Sequence, residues 1–308
     1  MCRKGLTRLL VPILAMLWML LQSGCGETFN NETGKLKVAV SILPQKYFVN
    51  MIAGDSIDVF VVVPPGASPA TYEPSPSSMR NMNDADVWFT VGVPFETPWI
   101  PRFAGANPDL RIRNTAENIE RLPIDRYSVT VNEQTSEQHD HSHGSPDPHV
   151  WLSPELVRSQ AEVIAEELSL IDSSRTENYS ANLARFNTEI DSVQNRIHML
   201  VDSSESKSFI VFHPSWGYFA DEFGLFQVPI ETAGNEPSPG EMHLLVDYAR
   251  QNGISAVFVA PQFSISSAEA IAMEIDGDVI YVDPLAEDWA SNLCTAAELL
   301  SGKVESNE

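Results

Sequence analysis

Seven short apolar runs, each closed by proline or a turn residue, limit what this chain can fold into. They are LKVAVSI (36–42), DVFVVVPP (58–65), ADVWFTVGVP (85–94), SFIVFHP (208–214), LFQVPI (225–230), ISAVFVAP (254–261) and DVIYVDP (278–284). Runs of this length, rich in Val, Ile and Phe and without polar alternation, read as strands covered on both faces in a parallel sheet. Helical stretches such as KYFVNMIAG (46–54) lie between them. The expected class is therefore α/β, with one mostly parallel sheet in each of two lobes.

The middle of the chain reads differently. Ser153-Pro154-Glu155 supplies an N-cap followed by proline at the first helical position, so a helix is expected from there to about Ile171. From 175 to about 201, Tyr179, Leu183, Phe186, Ile190, Val193, Ile197 and Leu200 follow one another at alternating steps of four and three, with no Gly or Pro between them. At 1.5 Å per residue such a helix runs about 40 Å, enough to cross a domain. A rigid strut joining two lobes is the expectation, and a coiled-coil dimer is the alternative. The domain plan that follows is a leader 1–25, a tether 26–35, an N-terminal lobe 36–172, a linking helix 173–204 and a C-terminal lobe 205–308.

The leader is MCRKGLTRLLVPILAMLWMLLQSGCG, in which Arg3, Lys4 and Arg8 precede an apolar run that ends in small residues. Thirteen apolar residues are short for a bilayer span, and a basic flank ahead of them fits an export signal. Of three cysteines, Cys2 leaves with the signal, and if Cys25 is acylated Cys294 has no thiol to pair with, so cores rather than disulfides then stabilise the exported chain. With 19 Lys and Arg against 42 Asp and Glu the formal charge is −23, which repels nucleic-acid phosphates. HExxH, GxSxG, P-loop and GxGxxG patterns are missing from the sequence, so no independent catalytic motif is present.

Chemistry concentrates where strands end. His213-Pro214, Ala260-Pro261 and Asp283-Pro284 close three runs of the second lobe, and open parallel sheets bind ligands at that carboxyl edge. In the first lobe Asp147-Pro148-His149 leads from a polar, histidine-rich loop (134–146) toward the capped helix. Two imidazoles and a carboxylate suit Zn(II), and also Mn(II) or Fe(II). Taken singly, each of these residues has a structural reading as well.

The stretches GASPATYEPSPSSM (66–79), DPHVWLSP (147–154), FHPSWGYFADEFGL (212–225), EPSPGEM (236–242) and VDPLAEDW (282–289) resemble, in order, those of the zinc and manganese substrate-binding lipoproteins of bacterial metal ABC transporters. Ser23-Gly24-Cys25 likewise resembles a lipobox, which implies export and a lipid anchor on Cys25, in the periplasm or at the cell surface. The resemblance implies a non-enzymatic receptor, monomeric, that captures a divalent metal, zinc first and manganese second, and passes it to a membrane permease. It implies His149, His213 and Asp283 as metal ligands. Where the family carries a further histidine this chain has Ala70, so Gln45, Glu73, Gln262 or water is left to complete the set. His139, His141 and His143 of the loop are expected to bind metal loosely at most, and Asp147 either orients His149 or simply forms a turn. A metal-dependent hydrolase with an open two-His, one-Asp site is the alternative, and a surface adhesin on the same scaffold a third reading.

Overall fold

The computed structural model describes residues 35–124, 145–204, 206–231 and 234–301. The expected leader, the tether up to residue 34 and residues 134–144 of the histidine-rich loop, with Cys25, His139, His141 and His143, lie outside them. The described residues from Leu36 onward form one compact unit.

Within it are two four-stranded parallel sheets. The first comprises β1 (Leu36–Val40), β2 (Ile57–Val61), β3 (Val87–Thr90) and β4 (Arg111–Asn114), and the second β5 (Ser208–Val211), β6 (Phe226–Pro229), β7 (Ala256–Val259) and β8 (Asp278–Tyr281). Their spatial orders, β2-β1-β3-β4 and β6-β5-β7-β8, are the same order repeated. The inner strands of the first sheet are apolar at their centres: Val38, Ala39 and Val40 on β1 and Val87, Trp88 and Phe89 on β3 have no exposed surface. Each sheet reverses its winding direction between its first and third strands, which opens a crevice at their carboxyl ends.

Around the first sheet stand α1 (Leu43–Ala53), α2 (Pro76–Asn83), α3 (Glu96–Ala106) and α4 (Pro154–Ile171), the last capped by Ser153 as its sequence predicts. After a 3-10 turn at Ser173–Arg175, α5 (Thr176–Val201) forms the long strut. The second sheet carries α6 (Gly217–Phe223), α7 (Pro239–Gln251), α8 (Ser266–Glu274) and α9 (Trp289–Leu300). The apolar stripe of α5 buries Tyr179, Phe186, Ile190, Val193 and Ile197 against α4, α1 and α9. Its hydrophobic face is thus satisfied inside one chain, and the coiled-coil alternative loses its driving force.

The lobes share a core instead of meeting across a hinge. Phe48 of α1, Phe186 of α5 and Trp289 of α9 pack ring against ring, with Trp289 5.5 Å from Phe48 and 6.2 Å from Phe186. That cluster continues to Val211 and Phe258 on one face of the second sheet, while α7 and α8 cover a separate apolar cluster on the other. Packing across all three helices opposes wide separation of the sheets.

Candidate metal centre

His213 lies two residues past β5, and the parallel register decides what stands beside it. Val211 pairs with Pro229, and the ladder continues as Ile230 N donates to the Val211 carbonyl and Glu231 N to that of Phe212. Glu231 therefore reaches the flank of His213, where its Oε1 meets Nδ1 at 2.6 Å. Phe263, from the loop after β7, stacks on the other side of the imidazole at 4.6 Å.

His149 is set by a turn. The Asp147 carboxylate accepts the His149 backbone N–H at 2.9 Å and meets its Nδ1 at 2.6 Å. Asp147 is itself pinned: its carbonyl accepts from Arg121 Nη1 and from the Tyr218 hydroxyl, both at 3.1 Å, and its N–H donates to Leu122. Tyr218 belongs to α6, so a side chain of the second lobe fastens the turn that aims His149. Burial lowers the pKa of His149, against the opposing pull of Asp147, and favours the neutral ring. With a carboxylate accepting at Nδ1, that nitrogen carries the proton and Nε2 of the neutral ring keeps the lone pair; Glu231 engages Nδ1 of His213 in the same way.

The two imidazoles meet edge to face with ring centroids 5.2 Å apart and planes at 72°. Two imidazoles binding one tetrahedral Zn(II) through Nε2 at about 2.0–2.1 Å would place their centroids about 5 Å apart. Both rings line a cleft of about 450 Å³ between the lobes, walled mainly by apolar groups and seven prolines. Trp151 closes its floor: Nε1 donates to the Pro284 carbonyl at 2.7 Å, and its own carbonyl accepts from Trp289 Nε1 at 2.6 Å.

Asp283 is placed differently. Its Oδ1 accepts from Leu285 N and from Gln262 Nε2, each at 2.9 Å, and its carbonyl accepts from Asn292. Gln262, Pro284 and Leu285 line the cleft, so Asp283 stands one hydrogen bond behind that surface. Among the described residues no three His, Cys, Asp or Glu side chains are grouped so as to hold one ion. The fold brings His149 and His213 together and leaves Asp283 beside them.

Of the candidates for the remaining position, Ala70 lines the cleft with only a methyl group. Glu73 is exposed and lies outside the lining. Gln45 is fully buried with both ends engaged, its Oε1 accepting from the amides of Ser41 and Ile42 and its Nε2 donating to the Thr90 carbonyl and Thr115 Oγ1. It holds the carboxyl ends of the first sheet together, and a ligand role would break four bonds. Gln262 alone of the three amide and carboxylate candidates reaches the cleft. Glu231 was not singled out by sequence reasoning; its signal was the position just past a strand that pairs with the one bearing His213. His198 packs edge-on against Phe223 and exposed His243 pairs with Asp247, both apart from the cleft.

Two α/β lobes with strand ends converging on one cleft, tied by a long helix and a shared core, define a solute-binding receptor. The chain belongs to the ZnuA family, described as zinc-uptake complex component A, periplasmic, whose family model matches residues 38–297. These are solute-binding proteins of metal transporters and not enzymes, which removes the hydrolase alternative. Relatives include the high-affinity zinc uptake system protein ZnuA of Bacillus subtilis, 27% identical over 274 residues that cover 83% of this chain and 82% of that protein. The manganese-binding lipoprotein MntA of Halalkalibacterium halodurans is 27% identical over 278 residues, 87% of each chain. A crystal structure of ZnuA superposes with a TM-score of 0.79 at 38% identity, covering 87% of this chain and 98% of that one. Among the described residues no helix is long and apolar enough to cross a membrane.

Proposed function

We propose that this chain is the exported, lipid-anchored receptor of a zinc transporter: it captures Zn(II) between its lobes with His149, His213 and Asp283 and delivers it, as a monomer, to an ABC permease. The observation that carries the reading is the pair of imidazoles, each tied at Nδ1 to a carboxylate and free at Nε2, at the spacing one tetrahedral ion needs. Zinc is favoured over manganese because two imidazoles supply nitrogen donors and the cleft is walled mainly by apolar groups, while the replacement of one family histidine by Ala70 removes a third nitrogen and lessens that preference. Binding is reversible capture, in which preorganised donors replace the cation's water. Release calls for a disturbance of that geometry at the permease, and the shared core limits the change to loop adjustment and modest tilting.

The reading is tested by metal analysis of protein purified without added metal, followed by titration with Zn(II) and Mn(II) in competition with a chelator. One ion bound tightly per chain, with zinc preferred, is the expected result; weak, non-stoichiometric binding of both would end it. The same titration on a form lacking residues 134–144 separates the cleft from the histidine-rich loop. The deletion stops at 144 because Ser145 and Pro146 line the cleft and Pro146 bridges to Pro123. The tight site is expected to survive it with affinity within about threefold of the intact chain, a small free-energy change.

The carboxylates behind the histidines carry their own prediction. Glu231→Ala is expected to weaken zinc binding about 10- to 100-fold by freeing the His213 ring to rotate and change tautomer. Glu231→Gln, which keeps an acceptor oxygen, should recover most of that loss. Equal affinity in all three proteins, measured by chelator competition, would remove Glu231 from the site.

A further inference from the structure

Gln262, three residues past β7, lines the cleft with a side chain that is satisfied at one end only. Its Nε2 donates to Asp283 Oδ1 at 2.9 Å, whereas its Oε1 is buried without a hydrogen-bond partner. A buried acceptor left unpaired works against folding, so its retention at a site calls for a functional reason. The reason lies in what the other end does. Asp283 Oδ1 also accepts from Leu285 N at 2.9 Å. A carboxylate oxygen offers two lone-pair directions, so two N–H donors use up Oδ1 and leave Oδ2 as the oxygen with free capacity.

We propose that Gln262 is a positioning residue that sets metal specificity: by saturating Oδ1 it restricts Asp283 to coordination through a single oxygen, and so favours cations that take few ligands over those that take many. This rests on the reading above that Asp283 binds the cargo. Zn(II) is content with four ligands, whereas Mn(II) prefers six, largely oxygen. A two-oxygen carboxylate would raise the ligand count without any additional residue, and the Leu285 amide alone leaves Oδ1 able to join. Gln262, Asp283 and Leu285 all belong to the second lobe, so these bonds travel together when the lobes tilt.

The test is titration of Gln262→Ala and Gln262→Leu with Zn(II) and with Mn(II), alongside the visible absorption of the Co(II)-loaded proteins. The second variant keeps bulk near Phe263 should the first fold poorly. Expected is a gain in Mn(II) affinity that narrows the zinc-over-manganese ratio at least about tenfold, with weaker Co(II) bands as coordination number rises. An unchanged ratio, or an equal fall for both metals, overturns the proposal. Asp283→Ala tells the two levels apart: if it leaves both affinities intact, the ligand set itself is wrong. If it abolishes tight binding while the Gln262 variants keep the wild-type ratio, only the role of Gln262 fails.

Discussion

Alanine at either His149 or His213 is expected to weaken zinc binding on the order of 1,000-fold, equivalent to about 4 kcal/mol. Each substitution removes one of two nitrogen donors and leaves the carboxylate at its Nδ1, Asp147 or Glu231, without that ring partner. A bound water can fill the vacated position but is a poorer donor to zinc than imidazole. The double variant should fall little further once the remaining ring acts alone, because the two donors work as a unit. His139→Ala, in the polar loop, is expected to leave the tight affinity unchanged. Chelator competition on the three single variants checks this, and equal losses in all of them would contradict the assignment of the cleft.

The second large effect concerns stability. Trp151 is 1% exposed, contacts the His149 ring, and exchanges hydrogen bonds with both Pro284 and Trp289 of the other lobe. Trp151→Ala leaves a large cavity where the lobes meet and an unpaired carbonyl at Pro284, so a loss of about 3–5 kcal/mol is expected. For a unit of this size that corresponds to a fall in melting temperature of about 10 °C. Trp151→Phe keeps one aromatic ring, and so leaves a smaller cavity than alanine, but not the indole N–H, and should lose only about 1–2 kcal/mol. Thermal and urea unfolding of both variants measure this; an alanine variant as stable as the parent would show that the lobes do not depend on this contact. Since Trp151 also lines the cleft, its alanine form should bind zinc less tightly for want of a fixed partner to His149.

Much of the architecture was legible residue by residue. The inner strands announced themselves because burial on both faces requires uninterrupted Val, Ile and Phe, and α5 did so through its spaced apolar stripe. β4 did not: Arg111-Ile-Arg-Asn114 is a part-exposed edge strand, held by pairing with β3 and by ion pairs from Arg111 to Glu167 and from Arg113 to Glu166, and nothing in its composition marks it. The run 85–94 was expected to be longer than β3 proves to be, because the Val91 and Gly92 amides leave the ladder to bind the Glu96 carboxylate. There Gly92 takes φ +88°, with the Arg121 guanidinium where a side chain would stand.

The site divides along the same line. His149, His213 and Asp283 stood out as candidates from the strand ends and turns that carry them, since local chemistry fixes which residues stand at a sheet's carboxyl edge, and the family resemblance grouped them as one ligand set. Their partners did not stand out. Glu231 reaches His213 only through the register of two strands, and Tyr218 reaches Asp147 only because one lobe rests on the other. Gln45 and Gln262 looked equivalent as amides following strands, yet one is bound into the first sheet and the other opens on the cleft. Sequence by itself determined most of the elements and their class and offered candidates for metal binding, because these follow from local periodicity and residue chemistry. The tertiary structure decided which of those residues meet and which atom each has left to offer, because hydrogen bonds between distant segments depend on register and packing that no local pattern encodes.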